Sequence, residues 1–267
     1  MKAVVFLGGG RITGALVAGL RRAKYKTRIV VHDRNPRKLR ALQQEFGIMA
    51  EPDLERAAAQ AHLLLLAVRP DSVADLLTAV YRYLPRRAGR HPVIACSLAA
   101  GIPLARLRAR LPVAWARAMP SPACRSGNGL TAVTFPKGFP ARARKEVVEF
   151  FRQVGPVLPI PESRFDVFTA TYSCSHGYQT LSTLADAATK LGLDRKTALV
   201  AAAHALADGI VAWREGNVPL AKLLREAATP GGIAAAVTAA MEAAGHARIV
   251  ERGLRAGVAR ARRNARL

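Results

Sequence analysis

The stretch His62-Leu63-Leu64-Leu65-Leu66-Ala67-Val68 constrains this chain more than any other. Its interior carries no polar side chain, so the element it forms must be covered on both faces. A short continuous apolar run set between helical patterns reads as a strand of a parallel sheet, where helices shield both sides. The same kind of run recurs at KAVVFLG (2–8), TRIVVHD (27–33) and HPVIACSL (91–98). Helical spacing fills the gaps, at RITGALVAGLRRA (11–23), NPRKLRALQQEFG (35–47) and DSVADLLTAVYRYL (71–84). Pro36 near the start of the second helix and Gly47 at its end fit the usual terminal preferences. Segments 101–111, 113–120 and 129–135 continue the rhythm. Alternation of this kind predicts an α/β domain, a parallel sheet with helices on both faces.

From Ser163 onward the strands stop. One long helical stretch is expected over 163–191, closed by Gly192. Asp194 is placed to cap a further helix reaching Gly216. A short helix, a Pro230-Gly231-Gly232 break, a helix ending near Gly245 and an Arg-rich last helix follow. The chain therefore divides into an N-terminal dinucleotide-binding domain over 1–162 and an all-α domain over 163–267. The helices are rich in alanine and apolar almost all round, so burial against one another or against a second copy is expected.

The chain has 267 residues, about half of them apolar, and no window approaches a membrane span of about 20 apolar residues. The opening MKAVVFLGGG reads as a buried strand rather than a signal peptide. Three widely spaced cysteines, Cys96, Cys124 and Cys174, show no zinc pattern and suit free thiols in a reducing cytoplasm. A formal charge of +23, with seven arginines in the last twenty residues, raises a nucleic-acid role. Elsewhere the arginines are scattered among alanines, as in a composition-biased chain. Neither a nucleic-acid nor a membrane partner is therefore expected.

VVFLGGGRITGAL places Gly8 and Gly10 at a strand-to-helix turn. Gly8 permits the tight turn, and Gly10 lets the backbone approach a pyrophosphate seated on the helix N-terminus. The usual third glycine is replaced by Thr13, with Gly14 beside it to relieve packing. About 20 residues beyond the turn comes His32-Asp33-Arg34-Asn35. Asp33 can take a ribose hydroxyl, as in NAD binders, whereas Arg34, Asn35 and Lys38 can hold a 2′-phosphate. Alternatively, Asp33 only caps the helix at Pro36. NADP is the cofactor expected, with NAD the alternative.

The glycine turn, DRNPRKL (33–39), AVRP (67–70), SLAAGI (97–102), RAMPSP (117–122), LADAATKLGL (184–193) and ATPGG (228–232) together resemble the pyrroline-5-carboxylate reductase family, in its order and spacing. The resemblance implies a Rossmann-type domain followed by a helical dimerisation domain. It also implies NAD(P)H-dependent reduction of 1-pyrroline-5-carboxylate to L-proline, the last step of proline synthesis, in homodimers that assemble further into decamers. It extends the cofactor-binding set to Arg11, Ile12, Val68, Arg69, Pro70 and Ala99. It makes the Pro-Gly-Gly segment the seat of the substrate carboxylate, with Thr229, Gly231 and Gly232 as contacts. The residues agree physically, since amides at a helix start favour an anion and Thr229 adds a hydroxyl.

The substrate-side motifs depart from the family. Ser121-Pro122-Ala123-Cys124 replaces Asn-Thr-Pro-Ala, and the region 170–176 replaces a Ser-Gly-Ser-Gly-Pro-Ala-Tyr type segment. Ile233 and Ala234 stand where hydroxyl residues are usual, and Asn217 stands for a glutamate. His176 is a candidate proton donor in place of lost polar contacts, or an ordinary helix residue. His204 and Asp208 read as a helix pair, and Cys174 as a small apolar residue. The alternatives are a reductase of another imine or carbonyl acid and a non-catalytic NADP-binding dimer.

Overall fold

A computed structural model describes residues 3–84 and 93–266. The chain forms two compact units, one of Met1–Tyr172 with Ala256–Leu267, the other of Ser173–Arg255.

The first unit is built on one eight-stranded sheet. Its strands are β1 (Ala3–Leu7), β2 (Arg28–His32), β3 (Met49–Ala50), β4 (Ala61–Leu66), β5 (Ile94–Ser97), β6 (Ala114–Pro120), β7 (Thr131–Thr134) and β8 (Val157–Pro159). They lie in the order β3-β2-β1-β4-β5-β6-β7-β8. The first six are parallel, and the β3-β2-β1-β4-β5-β6 core is the doubly wound Rossmann arrangement, with its switch point between β1 and β4. Alternate side chains of β1 and β4 serve opposite faces. Val4, Phe6, Leu63 and Leu65 pack with Leu16, Leu20 and Phe150 on one side. Val5, Leu7, Leu64 and Leu66 pack with Leu77, Leu107 and Trp115 on the other. Each such buried side chain contributes roughly 1.5–3 kcal/mol.

Helices α1 (Arg11–Arg22), α2 (Pro36–Phe46), α3 (Leu54–Ala59), α4 (Val73–Tyr81), α5 (Leu104–Arg110) and α6 (Ala141–Arg152) connect the strands. Asn35 caps α2 by accepting the Arg37 amide, and Gly47 ends it at φ +58°. The expected wholly parallel sheet is corrected at its far edge, where β7 runs antiparallel to β6. The connection 121–130 holds only a short 3₁₀ turn at Pro122–Ser126. It is too short for the crossover of a dozen or more residues that a parallel return needs.

The helical stretch expected over 163–191 is broken. It forms α7 (Glu162–Thr171) and α8 (Cys174–Lys190), with the Ser173 hydroxyl accepting the Ser175 amide at the start of α8. Then come α9 (Arg195–Glu215), capped by Asp194, α10 (Leu220–Ala227), α11 (Ile233–Ala243) and α12 (His246–Asn264). In the second unit α8 and α9 meet through Ala185, Ala198 and Ala202, and these small residues make a small core. Much apolar surface is left outside it, including Leu191, Val200, Ile210, Trp213 and Leu224. The last turns of α12 belong to the first unit, where Ala261 and Asn264 are buried and the Asn264 side chain donates to the Ala100 carbonyl at 3.2 Å.

Candidate functional site

Strand β1 ends at Leu7, and the chain turns at once into α1. Gly8 has φ +112°, and a Cβ there would lie 2.4 Å from the Ala67 carbonyl oxygen, so only glycine fits beneath the end of β4. Gly10, at the start of α1, has open space where a side chain would stand. No side chain caps the helix there. Its first amides therefore face a vacant approach, the arrangement that receives an anion. The missing third glycine is explained by Thr13, which is fully buried and donates its hydroxyl to the Gly8 carbonyl. Gly14 would accept a Cβ at an ordinary 3.6 Å from Leu42, so it relieves no packing. The close-contact glycine is Gly19, where a Cβ would come within 2.0 Å of the Cys124 carbonyl oxygen.

A cleft of about 1030 Å³ opens over this turn. Gly8, Gly10 and Arg11 line one wall, Asp33, Arg34 and Lys38 a second, Val68 and Arg69 a third. These eight expected cofactor residues are thus brought together. The other four are placed elsewhere. Ile12 packs against the core, Asn35 caps α2, and Pro70 lines a separate shallow groove. Ala99 is buried, with its amide donating to the Ser97 hydroxyl at 3.3 Å. The cleft also has Asp71, Ser72 and Asp75 on its margin, which carry no recognisable motif.

Asp33 does not cap α2. Its Oδ2 accepts the Gly9 amide at 2.7 Å, its Oδ1 accepts the Asn35 amide at 2.8 Å, and Lys38 Nζ stands 3.6 Å away. Burial works to raise its pKa, but the amides of Asn35 and Gly9 and the Lys38 charge outweigh it, and the carboxyl titrates below its ordinary range. Asp33 thus fixes the glycine turn, and the charge near the rim is supplied by exposed Arg34 and Arg11.

In the second unit, the Pro-Gly-Gly break joins α10 to α11. Gly231 has φ +78°, and Gly232 begins α11 with no side-chain cap. The Thr229 carbonyl accepts the Gly232 amide at 2.9 Å. A Cβ on Gly232 would lie 2.8 Å from the Thr229 hydroxyl, so the glycine makes room for that hydroxyl at the helix start. Asn217 is exposed in the link from α9 to α10, and His176 is exposed in the first turn of α8. His204 pairs with Asp208 at 3.1 Å on α9, as its spacing suggests. Among the described residues, no group of three or more acidic, His or Cys side chains is placed to hold a metal ion.

The comparisons with known proteins decide the family. A family model described as NADP oxidoreductase, coenzyme F420-dependent, matches residues 3–97. One described as pyrroline-5-carboxylate reductase dimerisation matches residues 162–264. A pyrroline-5-carboxylate reductase of Corynebacterium melassecola is 30% identical over 252 residues, covering 92% of each chain. The chain belongs to the pyrroline-5-carboxylate reductase family. That of Mycobacterium tuberculosis is 30% identical over 286 residues, covering 97% of this chain and 96% of its own. The fold agrees with a Plasmodium falciparum pyrroline carboxylate reductase crystallised with NADP bound, at TM-score 0.86, 20% identity and 98% coverage of both chains. It agrees equally with the Coxiella burnetii pyrroline-5-carboxylate reductase, at TM-score 0.85 and 22% identity.

Proposed function

We propose that the protein reduces 1-pyrroline-5-carboxylate to L-proline with NADPH. The observation that carries this reading is the 30% identity to named pyrroline-5-carboxylate reductases across more than nine-tenths of both chains. The cleft supports it, because the open approach at Gly10 and the uncapped start of α1 fit a pyrophosphate. Arg34 and Lys38 fit a 2′-phosphate, which favours NADPH over NADH.

When bound, NADPH supplies the hydride that the imine carbon accepts, and a proton completes the ring nitrogen, so that C=N becomes CH–NH. The Gly231 amide and the Thr229 hydroxyl hold the substrate carboxylate at the start of α11, where Gly232, its own amide taken by the Thr229 carbonyl, keeps the approach clear of a side chain. Asn217 adds an amide contact, and His176 gives the proton to the ring nitrogen. Residues 1–162 serve the cofactor, and residues 163–267 serve substrate and dimerisation. The apolar residues exposed in the second unit fit coverage by a second copy in a homodimer, with decamers as the higher assembly. No described helix is long and apolar enough to cross a membrane. The free thiols of Cys96, Cys124 and Cys174 suit a cytoplasmic setting.

The test is NADPH oxidation, followed by loss of the dihydronicotinamide absorbance, on adding pyrroline-5-carboxylate, with proline identified as product. Cofactor binding without turnover of this imine would reject the assignment.

A further inference from the structure

The end of α12 is seated on the Ala100–Gly101 turn that leads into α5, in the first unit. Ile102, Arg106 and Arg110 line a shallow groove between α4 and α5 that Ala265, just past α12, also reaches, and the Asn264 side chain donates to the Ala100 carbonyl just before α5. Arginines stand four residues apart in both places, Arg106 and Arg110 on α5, and Arg262 in the last turn of α12 with Arg266 just beyond it. All four are exposed, and Arg108, Arg260 and Arg263 are exposed on other sides of the same helices. Neither α5 nor α12 beyond Glu251 carries an acidic residue.

Some exposed arginines elsewhere have acidic partners, as in Arg125–Glu45, Arg152–Glu149 and Arg195–Asp186. Among the described residues, Arg106, Arg110, Arg262 and Arg266 form no ion pair. Glu162 reaches the first amide of α5 at 2.7 Å, but it is already matched to the buried Arg117. Like charges one turn apart oppose helix formation, so this face costs stability that a polyanion would recover.

We propose that the α5–α12 face docks the phosphate backbone of double-stranded nucleic acid. The apolar residues of α5, Leu104 and Leu107, are buried, as is Ala261 of α12, leaving little to insert into a lipid surface. Neither helix carries an aromatic residue along this face, so unpaired bases find no stacking platform. Rigid arginine rows without acidic neighbours suit a duplex, whose affinity comes from phosphate contacts and counterion release. The inference is independent of the reductase reading, since none of these residues lines the cofactor cleft.

The test is fluorescence anisotropy of a labelled mixed-sequence DNA duplex, titrated with the full-length protein at several salt concentrations. The combined variant Arg106→Gln, Arg110→Gln, Arg262→Gln and Arg266→Gln is expected to bind at least tenfold more weakly. Its log–log salt slope should flatten by roughly three units. Thermal unfolding and imine turnover should stay as in the parent. A control losing four cations elsewhere (Arg142, Lys145, Arg152 and Lys190, each to Gln) should keep most of the binding. Equal loss in both variants would overturn the proposal in favour of diffuse charge. Undiminished duplex binding by the first variant, displacement of duplex by NADPH, or binding to anionic phosphatidylserine vesicles but not to duplex would each overturn it as well.

Discussion

The Asp33 carboxylate accepts the Gly9 amide at 2.7 Å, joining the end of β2 to the turn that follows β1. A second bond to the Asn35 amide and the nearby Lys38 lower its pKa against the opposing effect of burial. A carboxyl with a depressed folded pKa stabilises the fold above its unfolded value of about 3.9. That contribution disappears as pH falls through the lower, folded value. Asp33→Asn should therefore cost about 1–2 kcal/mol at pH 7. The gap from the parent should close in strongly acidic buffer, as urea unfolding at the two pH values would show.

Gly8 and Gly10 answer differently to the same methyl group. Gly8→Ala forces a strained φ and a clash with main-chain atoms of Ala67, and should cost about 2 kcal/mol or more. Gly10→Ala meets no protein atom within 4 Å, so stability should change by less than about 1 kcal/mol. Its NADPH affinity should nevertheless drop about tenfold, equivalent to about 1.4 kcal/mol. Calorimetric unfolding and cofactor titration separate the two effects.

Arg117 is 2% exposed, pairs with Glu162 and Asp166 at 3.2 Å each, and lies over the Phe165 ring at 4.5 Å. Stripping the carboxylates leaves a buried cation unmatched, whereas stripping the cation leaves two partly exposed anions that water can reach. Glu162→Gln with Asp166→Asn should therefore destabilise more than Arg117→Met, the double change by about 3 kcal/mol. Denaturant midpoints of the two variants give the order directly.

Thr229→Val keeps the shape beside Gly232 and removes one donor. The Michaelis constant for pyrroline-5-carboxylate should rise about tenfold, while NADPH affinity measured by fluorescence quenching stays unchanged. An unaltered Michaelis constant would remove Thr229 from the substrate contacts.

The sheet was legible because strands buried on both faces leave a continuous apolar record, as in Leu63–Leu66. Its reversed edge was not, since Thr131–Thr134 reads alike in either direction and only the short link before it decides. The Asp194 cap follows from local chemistry and was readable on that account, whereas the cap of α2 falls to Asn35 and not to Asp33, whose carboxylate is held by the glycine turn. The break at Tyr172–Ser173 was not, because nothing in the run contains a proline or a glycine at that point. Gly8, Gly10, Asp33, Arg34 and Lys38 could be read from the turn and the end of the second strand, and Arg11, Val68 and Arg69 from the family resemblance, while Asp71, Ser72 and Asp75 reach the cleft only through the fold. Gly19 could have been singled out as a glycine inside an otherwise good helix. Its partner, the Cys124 carbonyl, is far away in sequence and left no trace beside it.

The seating of Ala261 and Asn264 on Gly101 bears on how the molecule is made. Gly101 has φ +82°, and a Cβ there would stand 2.4 Å from the Ala261 carbonyl oxygen, so the two backbones touch. Sheet and covering helices can emerge from the ribosome early, but the patch around Gly101 stays bare until the last turns of α12 are translated. Loss of even the last few turns by a premature stop would thus be felt within the nucleotide-binding half, long after its own strands had been synthesised.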